Sequence, residues 1–187
     1  MEHVSERLTL RLSGLSLADE LLDYYRRNET FWSEWEPKRS PEYFTLENVK
    51  SIISSQMNEI GQQRGVYFYV SLHEAKRIIG SIGISNIVYG PFRSCFLSYK
   101  MSRDEINRGY ITEALKKTVS ICFDEIKLHR IEANVVPRNI RSKRVLEKLG
   151  FGYEGLSRRY LKINGLWEDH EHYVLLNDDL EKEEVTA

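Results

Sequence analysis

Phe96-Leu97-Ser98-Tyr99-Lys100-Met101, then Ser102-Arg103-Asp104-Glu105-Ile106-Asn107-Arg108-Gly109, then Tyr110-Ile111-Thr112-Glu113-Ala114-Leu115 is the stretch that decides the fold. An apolar run breaks into a polar turn, and the turn's last residue, Gly109, opens a helical-looking segment. A strand that ends in a glycine-bearing loop at a helix start offers free backbone N–H groups and the positive end of the helix dipole to an anion. The Ser102–Thr112 segment is therefore a candidate phosphate cradle. One glycine before a helix is common, so the order of the downstream segments carries more weight. Those are Asn139-Ile140-Arg141-Ser142 and an amphipathic run ending at Leu149-Gly150-Phe151.

Outward from this stretch, period-two alternation marks a strand at Arg7–Leu12, and Val66–Leu72, Ile78–Val88 and Arg130–Val136 read as further strands, the last halted by Pro137. Ser16 is placed to cap a helix from Leu17 to about Arg27, with Leu17, Leu21, Leu22 and Tyr25 on one face. Thr45 with Asn48 opens a second helix to about Arg64, and a third runs from Tyr110 to about Ile126. A fourth begins near Ile140 and stops at Gly150. His73-Glu74-Ala75-Lys76 reads as a hairpin turn, and Asn164-Gly165 as the turn of a terminal hairpin built from Tyr153–Ile163 and Trp167–Leu176. Between the first two helices, Thr30–Pro41 packs Phe31, Trp32 and Trp35 beside Glu34 and Glu36 without a regular period. Tryptophans in such a loop serve packing or the wall of a substrate site.

The chain has 187 residues, 41% apolar and 29% charged, which suits a single mixed α+β unit spanning 1–187. The acidic tail, 178–187, is expected to fray. A net charge of −1 gives no general reason to hold nucleic acid, and no apolar run is long enough to span a bilayer. The N-terminus lacks a charged-then-apolar signal segment, so a cytoplasmic location is expected. Cys95 and Cys122 are too few for a disulfide framework and are read as buried thiols. The five histidines show no metal-binding spacing, and no metal is expected.

The order of strand, phosphate turn, helix, second strand, Asn-x-x-Ser and Leu-Gly-Phe resembles the acyl-CoA-binding half of the GNAT superfamily of N-acetyltransferases. Within it the chain looks most like the RimJ/RimL type, which acetylates N-terminal amines of ribosomal proteins. Asp23-Tyr24-Tyr25, Trp35-Glu36-Pro37, Ile78-Ile79-Gly80, Glu113-Ala114-Leu115, Asn139 with Arg141-Ser142, and Asn164-Gly165 with Trp167 carry this likeness across nearly the whole length. The resemblance implies a mixed sheet of about seven strands with about four helices, splayed at the strand pair that holds acetyl-CoA. It implies acetyl transfer from acetyl-CoA to a primary amine, with CoA as product. The acceptor is a ribosomal protein N-terminus, or alternatively a polyamine, antibiotic or amino acid. A catalytically weak acyl-CoA-binding module, monomeric or homodimeric, is the reading from outside the enzymes.

The resemblance also distributes roles. The CoA pyrophosphate falls to Ile106, Asn107, Arg108, Gly109, Tyr110, Ile111 and Thr112, with Asn107 standing where the family's first turn glycine is usual. Asparagine tolerates the left-handed backbone better than most residues, so the turn can still form. The pantetheine arm falls to Leu97, Met101, Asn134, Asn139 and Ser142, and the adenosine phosphates to Arg141 and Arg144. Ser142 also matches the family's acid for the departing thiolate, while Glu36, relaying through water, and Tyr99 as a second polar candidate are the residues at hand for the amine's proton. Phe96 occupies a position at which many relatives carry glutamate. Phe31, Trp32, Trp35 and Glu36 are the candidate acceptor wall, with Glu36 drawing in a cationic amine and favouring a short, uncharged first residue.

Overall fold

Alternation along the strands sorts side chains onto two faces of one sheet, and each face is covered by its own pair of helices. The computed structural model describes residues 2–73, 75 and 77–180. Among these, the strands are β1 (Glu2–Val4), β2 (Leu8–Leu12), β3 (Val66–Leu72), β4 (Gly80–Val88), β5 (Ser94–Met101), β6 (Arg130–Val135), β7 (Gly152–Ile163) and β8 (Leu166–Leu176). They lie in the order β1-β2-β3-β4-β5-β6-β8-β7. Neighbours are antiparallel except for β5 and β6, which run parallel. The α+β class is as expected, with eight strands instead of seven. The extra one, β1, has three residues, too few for a readable alternation.

Helices α3 (Tyr110–Ser120) and α4 (Ile140–Lys148) cover one face. Their Ala114, Leu115 and Leu146 pack with Leu8, Leu10, Phe68, Val70, Leu97, Ile131 and Ala133. Helices α1 (Ala18–Trp32) and α2 (Leu46–Gly61) cover the other, where Leu21, Tyr24, Val49 and Ile53 meet Tyr69 and Ile78. Thr45 caps α2 as expected, its hydroxyl accepting from the Asn48 N–H. The expected single helix from Tyr110 to Ile126 is α-helical only to Ser120 and continues as a π turn over Ile121–Glu125. Cys95 and Cys122 are buried thiols.

Two other expectations change. Helix α1 runs on to Trp32, five residues beyond Arg27, so Thr30, Phe31 and Trp32 are helical. The period was obscured because a polar residue, Asn28, occupies the inward face. Its amide donates to the Tyr24 carbonyl and to Ser102 Oγ, and its Oδ1 accepts from the Arg103 N–H at 2.9 Å. The tail expected to fray from Asp178 instead begins with a helical turn, in which Leu180 is buried and donates its N–H to Asn177 Oδ1. Residues 181–187, and Glu74 and Lys76 of the 73–76 turn, lie outside the described residues. The 164–165 hairpin turn is as expected, with positive φ at both Asn164 and Gly165.

Candidate active site

Parallel strands β5 and β6 pair only over Ser94–Phe96 and Arg130–Glu132. Beyond Phe96 they part, and the edge of Leu97–Met101 that faces β6 has no strand partner among the described residues. An unpaired strand edge presents backbone donors and acceptors at regular spacing to any extended ligand. Tyr99 reaches across the gap to α4. Its hydroxyl lies 2.6 Å from Ser142 Oγ and also donates to the Ser142 carbonyl at 3.1 Å. Burial pushes the Tyr99 phenol well above its ordinary pKa, only partly offset by the Ser142 hydrogen bond, so it stays protonated. Asn139 caps α4 through Oδ1, which accepts from the Ser142 N–H. The cap fixes the first turn and so holds Ser142 at the throat of the gap.

The turn after β5 has the geometry of an anion cradle. Asn107 and Gly109 both adopt left-handed backbone, with φ of 63° and 79°. Gly109 is the N-cap residue of α3, and no side chain caps that helix. The first-turn N–H groups of Tyr110, Ile111 and Thr112 are thus left to a ligand or solvent. The turn is pinned from two sides. Helix α1 holds its start, through Asn28 on Ser102 and Arg103 and through Trp32 Nε1 donating to the Met101 carbonyl. Arg7 holds its end: the guanidinium donates to the Arg108 carbonyl, stacks 4.7 Å from the Tyr110 ring centre and pairs with Glu113 at 2.7 Å. Ile106 packs against the core and anchors the middle.

On the opposite face of the sheet lies a cavity of about 190 Å³. Tyr25, Trp32, Tyr43 and Phe44 wall it, Lys100 projects from β5, and Asn164 closes it from the terminal hairpin. Glu36 sits in this cavity, ion-paired to Lys100 at 2.5 Å and to Arg39 at 3.7 Å. Lys100 also lies over the Trp32 ring. Desolvation lowers the Lys100 pKa, while Glu36 pulls it back toward the charged form. Asn164 Nδ2 donates to the Ser33 carbonyl, tying the hairpin tip to the segment after α1.

The acetyltransferase (GNAT) domain pattern matches residues 7–152. The chain belongs to the GNAT acetyltransferases. It is 35% identical over 177 residues to the ribosomal protein uS5-alanine N-acetyltransferase of Escherichia coli, covering 94% of this chain and 90% of that protein. The ribosomal-protein-S5-alanine acetyltransferase of Vibrio fischeri superposes with a TM-score of 0.91 at 34% identity, over 96% of this chain and 98% of that one. RimJ of Mycobacterium smegmatis, solved with CoA-disulfide, gives 0.87 at 29% identity, over 92% and 83%. The protein is an N-acetyltransferase of this family.

Within this GNAT fold the residues read from sequence fall into several groups. Leu97, Tyr99, Met101, Asn139 and Ser142 gather at the β5–β6 gap, and Ile106–Thr112 form the turn beside it. Arg141 is exposed on α4, as is Arg144, and neither is ion-paired to a described residue. Asn134 lies on β6 just past the last β5–β6 pair, where its Nδ2 donates to the Tyr160 hydroxyl at 3.1 Å. The acceptor wall needs correction. Trp32 and Glu36 line the cavity, but Phe31 packs among α1, α2 and the sheet, and Trp35 lies under the Arg138 guanidinium, 5.3 Å from its ring centre. Glu36 is no lone carboxylate, because two cations neutralise it. The expected preference for an uncharged first residue loses that basis. Lys100, Arg39, Arg7 and Tyr160 were missed, since isolated charged or aromatic residues carry no periodic or spacing signal.

Proposed function

We propose that this enzyme acetylates the N-terminal α-amine of a protein, a ribosomal protein in the cytoplasm being the best-supported acceptor, with acetyl-CoA as donor. The observation that carries this reading is the parting of β5 and β6, with the Tyr99–Ser142 pair in its throat and the uncapped start of α3 beside it. Relatives named for S5-alanine acetylation support the acceptor class.

The residues present fit acetyl-CoA. The free edge of Leu97–Met101 suits the amides of a pantetheine arm, and the left-handed Asn107–Gly109 turn suits its pyrophosphate. Bound there, the donor supplies an acetyl group activated as a thioester. Backbone N–H groups along Leu97–Tyr99 then face the acetyl oxygen, on which charge develops during attack. The amine nitrogen bonds to the acetyl carbon, the carbon–sulfur bond breaks, and the thiolate takes a proton. Ser142 Oγ gives that proton and regains one from solvent, into which the amine's surplus proton leaves, while the Tyr99 hydroxyl, kept protonated by burial, hydrogen-bonds the serine oxygen. An α-amine has a pKa near 8, so a useful fraction is neutral at pH 7 without a strong base at the Phe96 position.

The test is a panel of peptides varied in the first residue, with free CoA thiol followed over time and product mass checked. Acetylation of α-amines in peptides, with lysine-blocked controls reacting equally, supports the reading. Reaction of a polyamine or aminoglycoside alone refutes the protein acceptor.

A further inference from the structure

One buried polar atom near the gap has no role in the chemistry above. Asn134 Oδ1 is sealed from solvent and accepts no hydrogen bond among the described residues. Buried carbonyl oxygens are nearly always paired, so an unpaired one at the edge of a functional gap calls for a donor. We infer that Asn134 and Tyr160 form the seat of the acceptor amine, with Asn134 Oδ1 taking one amine N–H. This rests on the acetyl-transfer reading.

The face of the sheet decides between amine and cofactor. Along β6, Ile131, Ala133 and Val135 enter the core under α3 and α4, so Asn134 lies on the other face with Arg130 and Glu132. Phe96 and Glu132 are paired residues of parallel strands and share that face, as does Lys100 four residues beyond Phe96. Lys100 lines the cavity. Asn134 and the cavity therefore flank the gap from its two sides on one face of the sheet. Tyr160 belongs to the same hairpin as Asn164, which closes the cavity. Its hydroxyl accepts from Asn134 Nδ2, and in this orientation of the amide Oδ1 is the unpaired end.

The surroundings hold Tyr160 in place. Its ring lies 5.2 Å from the centre of each of the His170 and His172 rings. His172 is itself fixed between Glu132 at 2.9 Å and Ser157 at 2.8 Å, and Arg130 holds Glu132. His170 Nδ1 meets the Glu168 carbonyl. Tyr160 thus packs against a hydrogen-bonded network that spans β6, β7 and β8. In the reaction, the neutral amine donates one N–H to Asn134 Oδ1 and its lone pair forms the carbon–nitrogen bond. The carbon–sulfur bond breaks, the amine's surplus proton leaves to solvent, and the thiolate is protonated.

The test compares Asn134→Leu, Asn134→Asp and Tyr160→Phe with the wild type, on an alanine-initiated hexapeptide and on spermidine. Asn134→Leu should raise the KM for the amine about tenfold, the usual order for one lost buried hydrogen bond, with acetyl-CoA affinity within about twofold. Tyr160→Phe removes only a hydroxyl and should raise it about threefold. Asn134→Asp places a charge beside the amine, keeps it protonated and shifts the acid limb of kcat/KM to higher pH, which a merely structural asparagine would not do. Weaker acetyl-CoA binding with an unchanged amine KM overturns the proposal and gives Asn134 to the cofactor. Unchanged kinetics in folded Asn134→Leu also overturn it. A wild type that acetylates only spermidine refutes the protein acceptor while leaving the seat testable on that amine. A wild type that acetylates neither refutes acetyl transfer, and the seat with it.

Discussion

The two sides of the β5–β6 gap are built by different physics. On the α3 side the groups that hold the donor are backbone: an unpaired strand edge, two left-handed residues and an uncapped helix start. On the α1 side they are side chains: Glu36 between Lys100 and Arg39, an aromatic wall, and the Asn134–Tyr160 pair. A backbone site depends on dihedral angles, so it tolerates most substitutions and fails at a few positions. A side-chain site depends on charge balance and partner geometry, and single changes move its selectivity by degrees. Such a division suits an enzyme whose donor is fixed and whose acceptor is a matter of specificity.

The largest expected effect breaks the backbone side at Gly109. Gly109→Asp forces a side chain onto a residue with φ of 79° and sets a negative charge at the helix start. The nearest atom to an added Cβ is Arg7 Nη2 at 3.5 Å, so there is room and the protein should fold. Acetyl-CoA affinity should fall at least about 100-fold, removing the rise in melting temperature that saturating ligand gives the wild type. An unchanged rise in the folded variant would move the phosphate site elsewhere.

Ser142→Ala comes next and separates binding from chemistry. Loss of a general acid costs ~10²–10⁴-fold, and a thiolate leaves readily enough to place the drop near the lower end. Turnover should fall while acetyl-CoA affinity holds. Equal losses in both would make Ser142 a cofactor contact.

The acceptor side should respond more gently. Glu36→Gln leaves Lys100 over the Trp32 ring without its carboxylate. Both partners keep some solvent contact, so the loss of stability should be about 1–2 kcal/mol, read by urea unfolding. The acceptor KM should rise severalfold at constant acetyl-CoA affinity. A KM that stays fixed would reduce Glu36 to a strut.

The smallest effect concerns the pin beneath the turn. Burial raises the Glu113 pKa, but the Arg7 N–H, the Ser5 hydroxyl and the Arg7 guanidinium together outweigh it and hold the carboxyl below its ordinary range. A carboxyl lowered in the folded state contributes stability above its unfolded pKa, near 4.3, and loses it as pH falls through the folded value. Glu113→Gln should thus narrow the stability difference between neutral and acid pH by under ~1 kcal/mol. An identical pH–stability curve would show that Arg7 does not depend on Glu113.

How far the sequence could be read follows the same division. The turn was legible because Asn107 and Gly109 are residue types that accept positive φ, and because Tyr110–Leu115 begins a clean helical period. Asn139 and Ser142 were legible because capping and helix-start positions are local. The acceptor side was not. Trp32 seemed to lie in a loop because buried Asn28 interrupts the apolar face of α1, and its partners Ser102 and Arg103 are more than seventy residues away. The Lys100–Glu36 pair joins β5 to the segment after α1, and the Asn134–Tyr160 pair joins β6 to a bulged stretch of β7. Contacts between distant segments leave no spacing to read.

On this account acetyl-CoA is held by the parted strands β5 and β6 and by the turn after β5. Amide hydrogen exchange with and without saturating acetyl-CoA tests that most directly. Protection should rise along Leu97–Met101 and Asn107–Thr112, while α2 and the β2–β3 pair keep their rates. Saturable binding that leaves both segments unprotected would contradict it.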